Sequence, residues 1–237
     1  MRIAIIPARG GSKRLPRKNI MDFFGHPMIG YPLRSAQESG LFDKIHVSTD
    51  DPEICGVAER LGVKPDFMRP KELADDQTPL MPVLRYVLAE YERRGQAYAT
   101  ICLLMPCAPL IEAVDLKAAH AIFCQHDPRR PLLAVSTYPA PIEWAYERAA
   151  DGRLAPVQPG LYAVRSQDLS HKYYDSGTFC FFDRSHILAE TPACDKDFVS
   201  YVLPRSKAVD VDDADDLEMA KALFLARKAA ASSKPPR

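Results

Sequence analysis

Apolar runs of strand length alternate with segments of helix length along most of this chain. Arg2–Ile6 precedes a helix near Met28–Ser39, Lys44–Ser48 precedes Pro52–Leu61, Thr100–Leu104 precedes Ala113–His126, and Leu132–Thr137 follows. Parallel strands need a crossover of helix length between them, and that crossover is right-handed, so the alternation predicts an α/β fold: a mostly parallel sheet with helices on both faces. Ligands of such sheets sit beyond the carboxyl ends of the strands. The loop that leaves the first strand therefore lies where chemistry is expected.

That loop is Ile5-Ile6-Pro7-Ala8-Arg9-Gly10-Gly11-Ser12-Lys13-Arg14-Leu15-Pro16-Arg17-Lys18-Asn19, and from Arg9 to Lys18 it carries five cations and no acid. Two glycines before Ser12 let backbone N–H groups turn toward an anion, and a nucleoside triphosphate, with roughly four negative charges, needs several cations at close range. A solvated basic turn is the plainer reading of these residues. The loop lacks the spacing of a phosphate-binding GxxxxGK[ST] and of GxGxxG, which removes the main support for ATPase, kinase or dinucleotide readings.

The cations are a local concentration, because Lys plus Arg and Asp plus Glu number 31 each and the formal net charge is zero. No global field recruits nucleic acid or an anionic membrane. The opening apolar run is too short for a signal segment and no later one approaches a membrane span, so a cytoplasmic protein is expected. With 237 residues and 47% hydrophobic composition, the chain fits one domain over 1–228 with a disordered tail at 229–237. Between about 138 and 177 prolines interrupt the alternation, which reads as an arm. A strand at Thr178–Phe182, a helix near Arg184–Glu190, a strand at Ala208–Val211 and a final helix from Ala214 to about Arg227 complete the reading. The six cysteines show no CxxC pair and are expected to be reduced core residues, and the histidines have no metal spacing.

Val209-Asp210-Val211-Asp212-Asp213-Ala214-Asp215-Asp216 joins an apolar alternation to an acidic cluster. Asp210 and Asp212, two apart on a strand, share a face and form a hard oxygen site suited to Mg²⁺. Helix capping explains Asp213, Asp215 and Asp216 and leaves Asp210 without a reason to sit in an apolar strand. Arg69, at a proline-fixed turn, suits a base or phosphate contact and equally a surface ion pair. Arg165, Gln167 and Asp168 set a cation, an amide and a carboxylate side by side, as a polyhydroxylated acid would need.

In this order, IPARGGSKRLPRKNI, VSTDD (Val47–Asp51), RPKELADD (Arg69–Asp76), MPCAPL (Met105–Leu110), RSQDL (Arg165–Leu169) and VDVDD (Val209–Asp213) resemble the CMP-sugar-acid synthetases over roughly residues 1–225. These are the cytidylyltransferases of sialic acid and related nonulosonates. The resemblance implies a Rossmann-like nucleotidyltransferase fold with a dimerisation arm, hence a homodimer, and transfer of CMP from CTP to an acidic nine-carbon sugar with Mg²⁺ as cofactor. It implies that Ala8, Arg9, Gly10, Gly11, Ser12, Lys18, Asn19 and Arg69 handle the nucleotide, with Arg9, Lys18 and Asp212 catalytic and Asp210 and Asp212 on the metal. Met105, Arg165, Gln167, Tyr174 and Asp175 fall to the sugar.

Sialic-acid enzymes usually carry Gln where this chain has Met105, and Arg-Pro-Asn-Gly where it has Tyr174-Asp175-Ser176-Gly177. RSQDL followed by YDSG is closer to the pseudaminic acid branch, with legionaminic or sialic acid as the alternative. A non-catalytic nucleotide-sugar binder would not need Asp210 and Asp212, and a glycosyltransferase would want its Asp-x-Asp in mid-chain.

Overall fold

The computed structural model describes residues 1–127, 130–189 and 197–232. The chain runs β1 (Arg2–Pro7), β2 (Asp22–Phe23), β3 (His26–Pro27), α1 (Gly30–Ser39), β4 (Lys44–Ser48), α2 (Pro52–Arg60), α3 (Leu80–Arg93), β5 (Thr100–Leu104), α4 (Ala113–Gln125) and β6 (Leu132–Thr137). It continues with β7 (Tyr146–Arg148), β8 (Leu154–Pro156), β9 (Tyr173–Asp183), α5 (Arg184–Leu188), β10 (Val199–Val202) and α6 (Ala214–Ser232). Six strands form one sheet in the order β10-β6-β9-β5-β1-β4. β1 pairs in parallel with β4 and β5, β10 pairs in parallel with β6, and β9 runs antiparallel between β5 and β6.

Strand periodicity of two explains why β1 reads as unbroken apolar sequence. Ala4 and Ile6 face a core shared with α1, α2 and α4, whereas Ile3 and Ile5 face a second core built on α3. Local chemistry sets the helix ends. α1 stops at Gly40, whose φ of 62° is left-handed, and α2 starts at Pro52 behind Asp51, whose carboxylate accepts from the N–H groups of Glu53 and Ile54. Glu112 and Asp115 form a reciprocal capping box at α4.

The structure departs from the sequence reading in five places. Leu80–Arg93, to which the sequence reading assigns no element, is α3, and its Val83, Leu84, Val87, Leu88 and Tyr91 recur at helical spacing. Ala208–Val211 is not a strand: Val209 and Val211 pack into a small cluster with Phe23, Met28 and Cys107, and Val211 N–H donates to Cys107 C=O at 2.9 Å rather than to a sheet neighbour. β9 begins at Tyr173, so Tyr174–Gly177 belong to the sheet and not to the irregular arm. β10, a half-exposed edge strand, was not anticipated. α6 continues through Ser232, past the expected start of the tail. Of the expected core cysteines, Cys102 and Cys107 are buried, Cys55 and Cys180 are half-buried and Cys124 is exposed. Glu190, Cys194 and 233–237 lie outside the described residues. No helix among the described residues is long and apolar enough to cross a membrane.

Beneath the sheet, His46 is fully buried, with Nδ1 3.0 Å from the Tyr91 hydroxyl, which donates to Asp66 at 2.7 Å. Burial pulls the imidazole down to about 3, outweighing the upward pull of Asp66, while Lys44, Arg69 and Arg94 pull it further down. The folded pKa lies below the ordinary 6.5, so the stabilisation is complete above pH 6.5 and is lost as pH falls toward 3, at about 1.4 kcal/mol per pH unit. Because Asp210 titrates in the same window with the opposite sign, the His46 contribution is read as the difference between the unaltered chain and His46→Gln: urea unfolding at pH 7 and pH 5 should show that difference shrinking by ~2 kcal/mol on acidification. A difference that is the same at both pH values would remove His46 as a source of pH dependence.

Candidate active site

At the carboxyl ends of β1, β4 and β5 the chain encloses a cavity of about 500 Å³, lined by the opening loop, by 69–83, by Met105-Pro106-Cys107 and by Asp210 and Asp212. Arg9, Ser12, Lys13, Arg14, Lys18 and Asn19 all reach it. Residues from both ends of the sequence meet here because β1 lies inside the sheet, between β5 and the edge strand β4, and the segment 207–212 is pinned over its loop. The buried Lys207 ammonium lies 2.6 Å from both Glu112 and Asp115 and fixes that segment to the start of α4.

Each cation of the loop is matched to an acid. Arg9 Nη1 is 2.5 Å from Asp76, which also pairs with Lys13. Arg14 and Lys18 each lie 2.5 Å from Asp212, on opposite carboxylate oxygens. Arg17 is the exception to the expected phosphate role. Its φ of 59° turns its side chain out to Asp51 and Glu53, so it braces the start of α2 and does not line the cavity.

Glycine is demanded at Gly10, where a Cβ would fall 2.5 Å from Asp51 Oδ2, and its N–H is already donated to Asp50 rather than turned to an anion. Ala8 is fully buried with its N–H on Ser48 C=O, and Gly11 is open on all sides. Gly10→Ala should cost about 1–3 kcal/mol of stability through this overlap. Gly11→Ala should leave thermal unfolding unchanged, and equal effects of the two would overturn the steric explanation.

Asn19 and Arg69 hold the walls. The Asn19 amide donates to Arg9 C=O at 2.9 Å, and its oxygen accepts from Cys107 Sγ at 3.2 Å, so this side chain ties the loop to the turn after β5. Arg69, 6% exposed, donates to the Ser48 hydroxyl and carbonyl and to Leu73 C=O. It lines the cavity while fastening 69–73 to β4.

Asp210 and Asp212 differ sharply. Burial pushes the Asp210 carboxyl up to about 7; Asp212, Asp216 and Asp175 add to the rise and Lys18 opposes it. Its Oδ1 is buried with no hydrogen-bond partner. For Asp212 burial also acts upward, but the hydrogen bonds and charges of Lys18 and Arg14 outweigh it and hold the carboxyl below its usual range. Gly177, at φ 65°, makes room for Asp210: a Cβ there would lie 3.1 Å from Asp210 Cβ and Oδ2. An orphaned buried carboxylate oxygen beside an ionised one fits a divalent cation that completes its shell with water and phosphate. No group of three or more His, Cys, Asp or Glu suited to a metal occurs among the described residues.

The remaining expected sugar residues divide. Met105 lines the cavity, and Asp175 lies close enough to Asp210 to raise its pKa. Tyr174 packs on Tyr138, ring centroids 5.2 Å apart. Arg165 is exposed and bound to Asp168 at 2.8 Å, while Gln167 lines a separate cleft with Tyr138 and Lys172; neither lines the cavity. Reading the sequence missed Asp75, Asp76, Thr78 and Leu80, which complete the wall. Their signal was available in the acidic run that closes RPKELADD.

A cytidylyltransferase family model matches residues 3–128. The pseudaminic acid cytidylyltransferase of Campylobacter jejuni is 38% identical over 222 residues, covering 94% of this chain and 95% of that protein. The N-acylneuraminate cytidylyltransferase of Escherichia coli is 26% identical over 219 residues, covering 92% of this chain and 51% of that protein. Among solved structures, CMP:2-keto-3-deoxy-manno-octonic acid synthetase complexed with CTP superposes with a TM-score of 0.67 at 18% identity, covering 95% of this chain and 99% of that one, a likeness of fold.

Proposed function

The chain belongs to the cytidylyltransferase family, and from that premise we propose that it transfers CMP from CTP to the anomeric hydroxyl of a nonulosonic acid, pseudaminic acid in preference to sialic acid. The observation that carries this reading is the meeting of four loop cations, Arg9, Lys13, Arg14 and Lys18, with Asp210 and Asp212 in one cavity. The similarity to pseudaminic acid cytidylyltransferase over nearly the whole chain supports the choice of sugar.

The triphosphate lies along the opening loop. Arg9 and Lys13 at one side and Arg14 and Lys18 at the other neutralise charge that grows on the departing pyrophosphate, so catalysis is chiefly positioning and electrostatic stabilisation. Asp210 and Asp212 would hold Mg²⁺, which when bound withdraws electron density from the α-phosphate. Pro7, Leu73, Leu80 and Val83 give the cavity an apolar wall against which a base can lie, with Arg69 and Thr78 at its edge. The sugar approaches from the side of Met105 and Asp175. The outer hairpin β7–β8 and the loop after it expose Tyr146, Leu154, Val157 and Tyr162, an apolar surface suited to a second copy of the chain.

Met105 lines the cavity with no donor for a glycerol side chain and offers apolar surface to a deoxygenated, methyl-terminated one. A hydroxyl left unpaired on binding costs about 1–3 kcal/mol, so kcat/KM for pseudaminic acid should exceed that for N-acetylneuraminic acid by ~10- to 100-fold at equal CTP and Mg²⁺. A ratio at or below one would overturn the choice of sugar.

A further inference from the structure

Among the described residues of the cavity wall, Asp76 is the one acid with neither a proposed metal to hold nor a turn to cap. Asp212 is taken up by the metal, and Asp75 caps its own turn, accepting from Gln77 N–H at 2.9 Å and Thr78 N–H at 2.6 Å. The Asp76 side chain caps nothing. It reaches across to Arg9 and Lys13, 67 and 63 residues earlier in the chain, and Arg9 also donates to Asp75 C=O at 3.0 Å. These contacts bridge the opening loop to 75–76 over the space that a triphosphate must enter.

The pairing is poorly suited to a structural role. Arg9 and Asp76 are each about a third exposed and Lys13 is 80% exposed, so solvent screens the attraction and ordering the long side chains offsets part of it. Such pairs give way readily to a ligand of higher charge. A carboxylate carries one negative charge toward these two cations, whereas a pyrophosphate group carries about three and presents more acceptor oxygens.

We propose that Asp76 is an internal competitor for the triphosphate: it holds Arg9 and Lys13 in the nucleotide-free protein, is displaced when CTP enters, and returns to help expel pyrophosphate. This inference rests on the triphosphate reading of the cavity. It makes Asp76 a setting for nucleotide and product affinity, with the segment 74–78 moving away from the loop whenever phosphate is bound. It also accounts for an acid standing inside a site otherwise built for an anion.

The test is isothermal titration of the full chain and of Asp76→Asn, Asp76→Ser and Asp76→Glu with CTP and with inorganic pyrophosphate, without divalent metal at low salt. Thermal unfolding is recorded alongside to show that each variant is folded. The neutral variants should bind both ligands about 3- to 10-fold more tightly than the unaltered chain, Asp76→Glu should bind like it, and the gain should shrink at 0.5 M salt. Equal or weaker binding by the neutral variants would overturn the proposal, weaker binding marking Asp76 as a residue that orients Arg9 and Lys13. Should the neutral variants not fold, amide hydrogen exchange of the unaltered chain decides: 74–78 should exchange faster with pyrophosphate bound, and slower or unchanged exchange would sink the idea. An unaltered chain that binds neither ligand would remove the triphosphate reading together with the competitor, whereas binding without the gain removes the competitor alone.

Discussion

Asp212→Asn should lower turnover at least about a hundredfold while CTP still binds. The carboxylate lies 2.5 Å from both Lys18 and Arg14 and beside the orphaned Asp210 oxygen, so it joins the loop cations to the position at which we propose the metal binds. An amide of the same shape keeps the fold, since the backbone there is fixed independently: Asp216 accepts from the N–H groups of Asp212 and Asp213. Without metal, CTP affinity should hold or rise, because Lys18 and Arg14 are released from their partner. Steady-state pyrophosphate release checks the rate and titration checks the affinity; near-native turnover in a folded variant would remove Asp212 from the metal.

Lys18→Ala should weaken CTP binding by ~10- to 100-fold, the worth of a charge-assisted hydrogen bond to phosphate. Its effect on folding should be slight. Lys18 is 20% exposed and shares Asp212 with Arg14, so the carboxylate keeps a cation when Lys18 is lost, and a partly exposed pair contributes about 0–1 kcal/mol. A calorimetric titration and a thermal melt on the same preparation separate the two effects. Lowered stability with unchanged CTP affinity would make Lys18 a structural residue.

The opening loop was legible in the sequence as a basic turn at the carboxyl end of a strand, and Asp210 as a carboxylate with no capping duty; that the two segments meet was implied by the family resemblance alone, since the strand on which Asp210 and Asp212 were expected to share a face does not form. What could not be read is which of several like residues points inward. Arg17 stands among four cavity cations, but a left-handed backbone turns it to Asp51. Asn19 and Arg69 read as ligand contacts, and the fold employs their hydrogen bonds to hold walls together. Asp76 was passed over because an acid in a turn looks solvated until its partners, more than sixty residues earlier in the chain, are seen. The alternation of 208–211 mimicked a strand because a small cluster over the loop asks for the same spacing that a sheet face does. Arg165 and Gln167 read as sugar contacts, yet Arg165 is exposed and paired with Asp168, and Gln167 lines a separate cleft.

Product analysis tests the central claim most directly. The purified chain, incubated with CTP, Mg²⁺ and pseudaminic acid, should yield one equivalent of inorganic pyrophosphate and a species with the mass of CMP joined to the sugar, and an α-phosphate label on CTP should travel with the sugar. Release of orthophosphate, retention of the label on unreacted CTP, or absence of any CMP-sugar with every nonulosonic acid tried would contradict it.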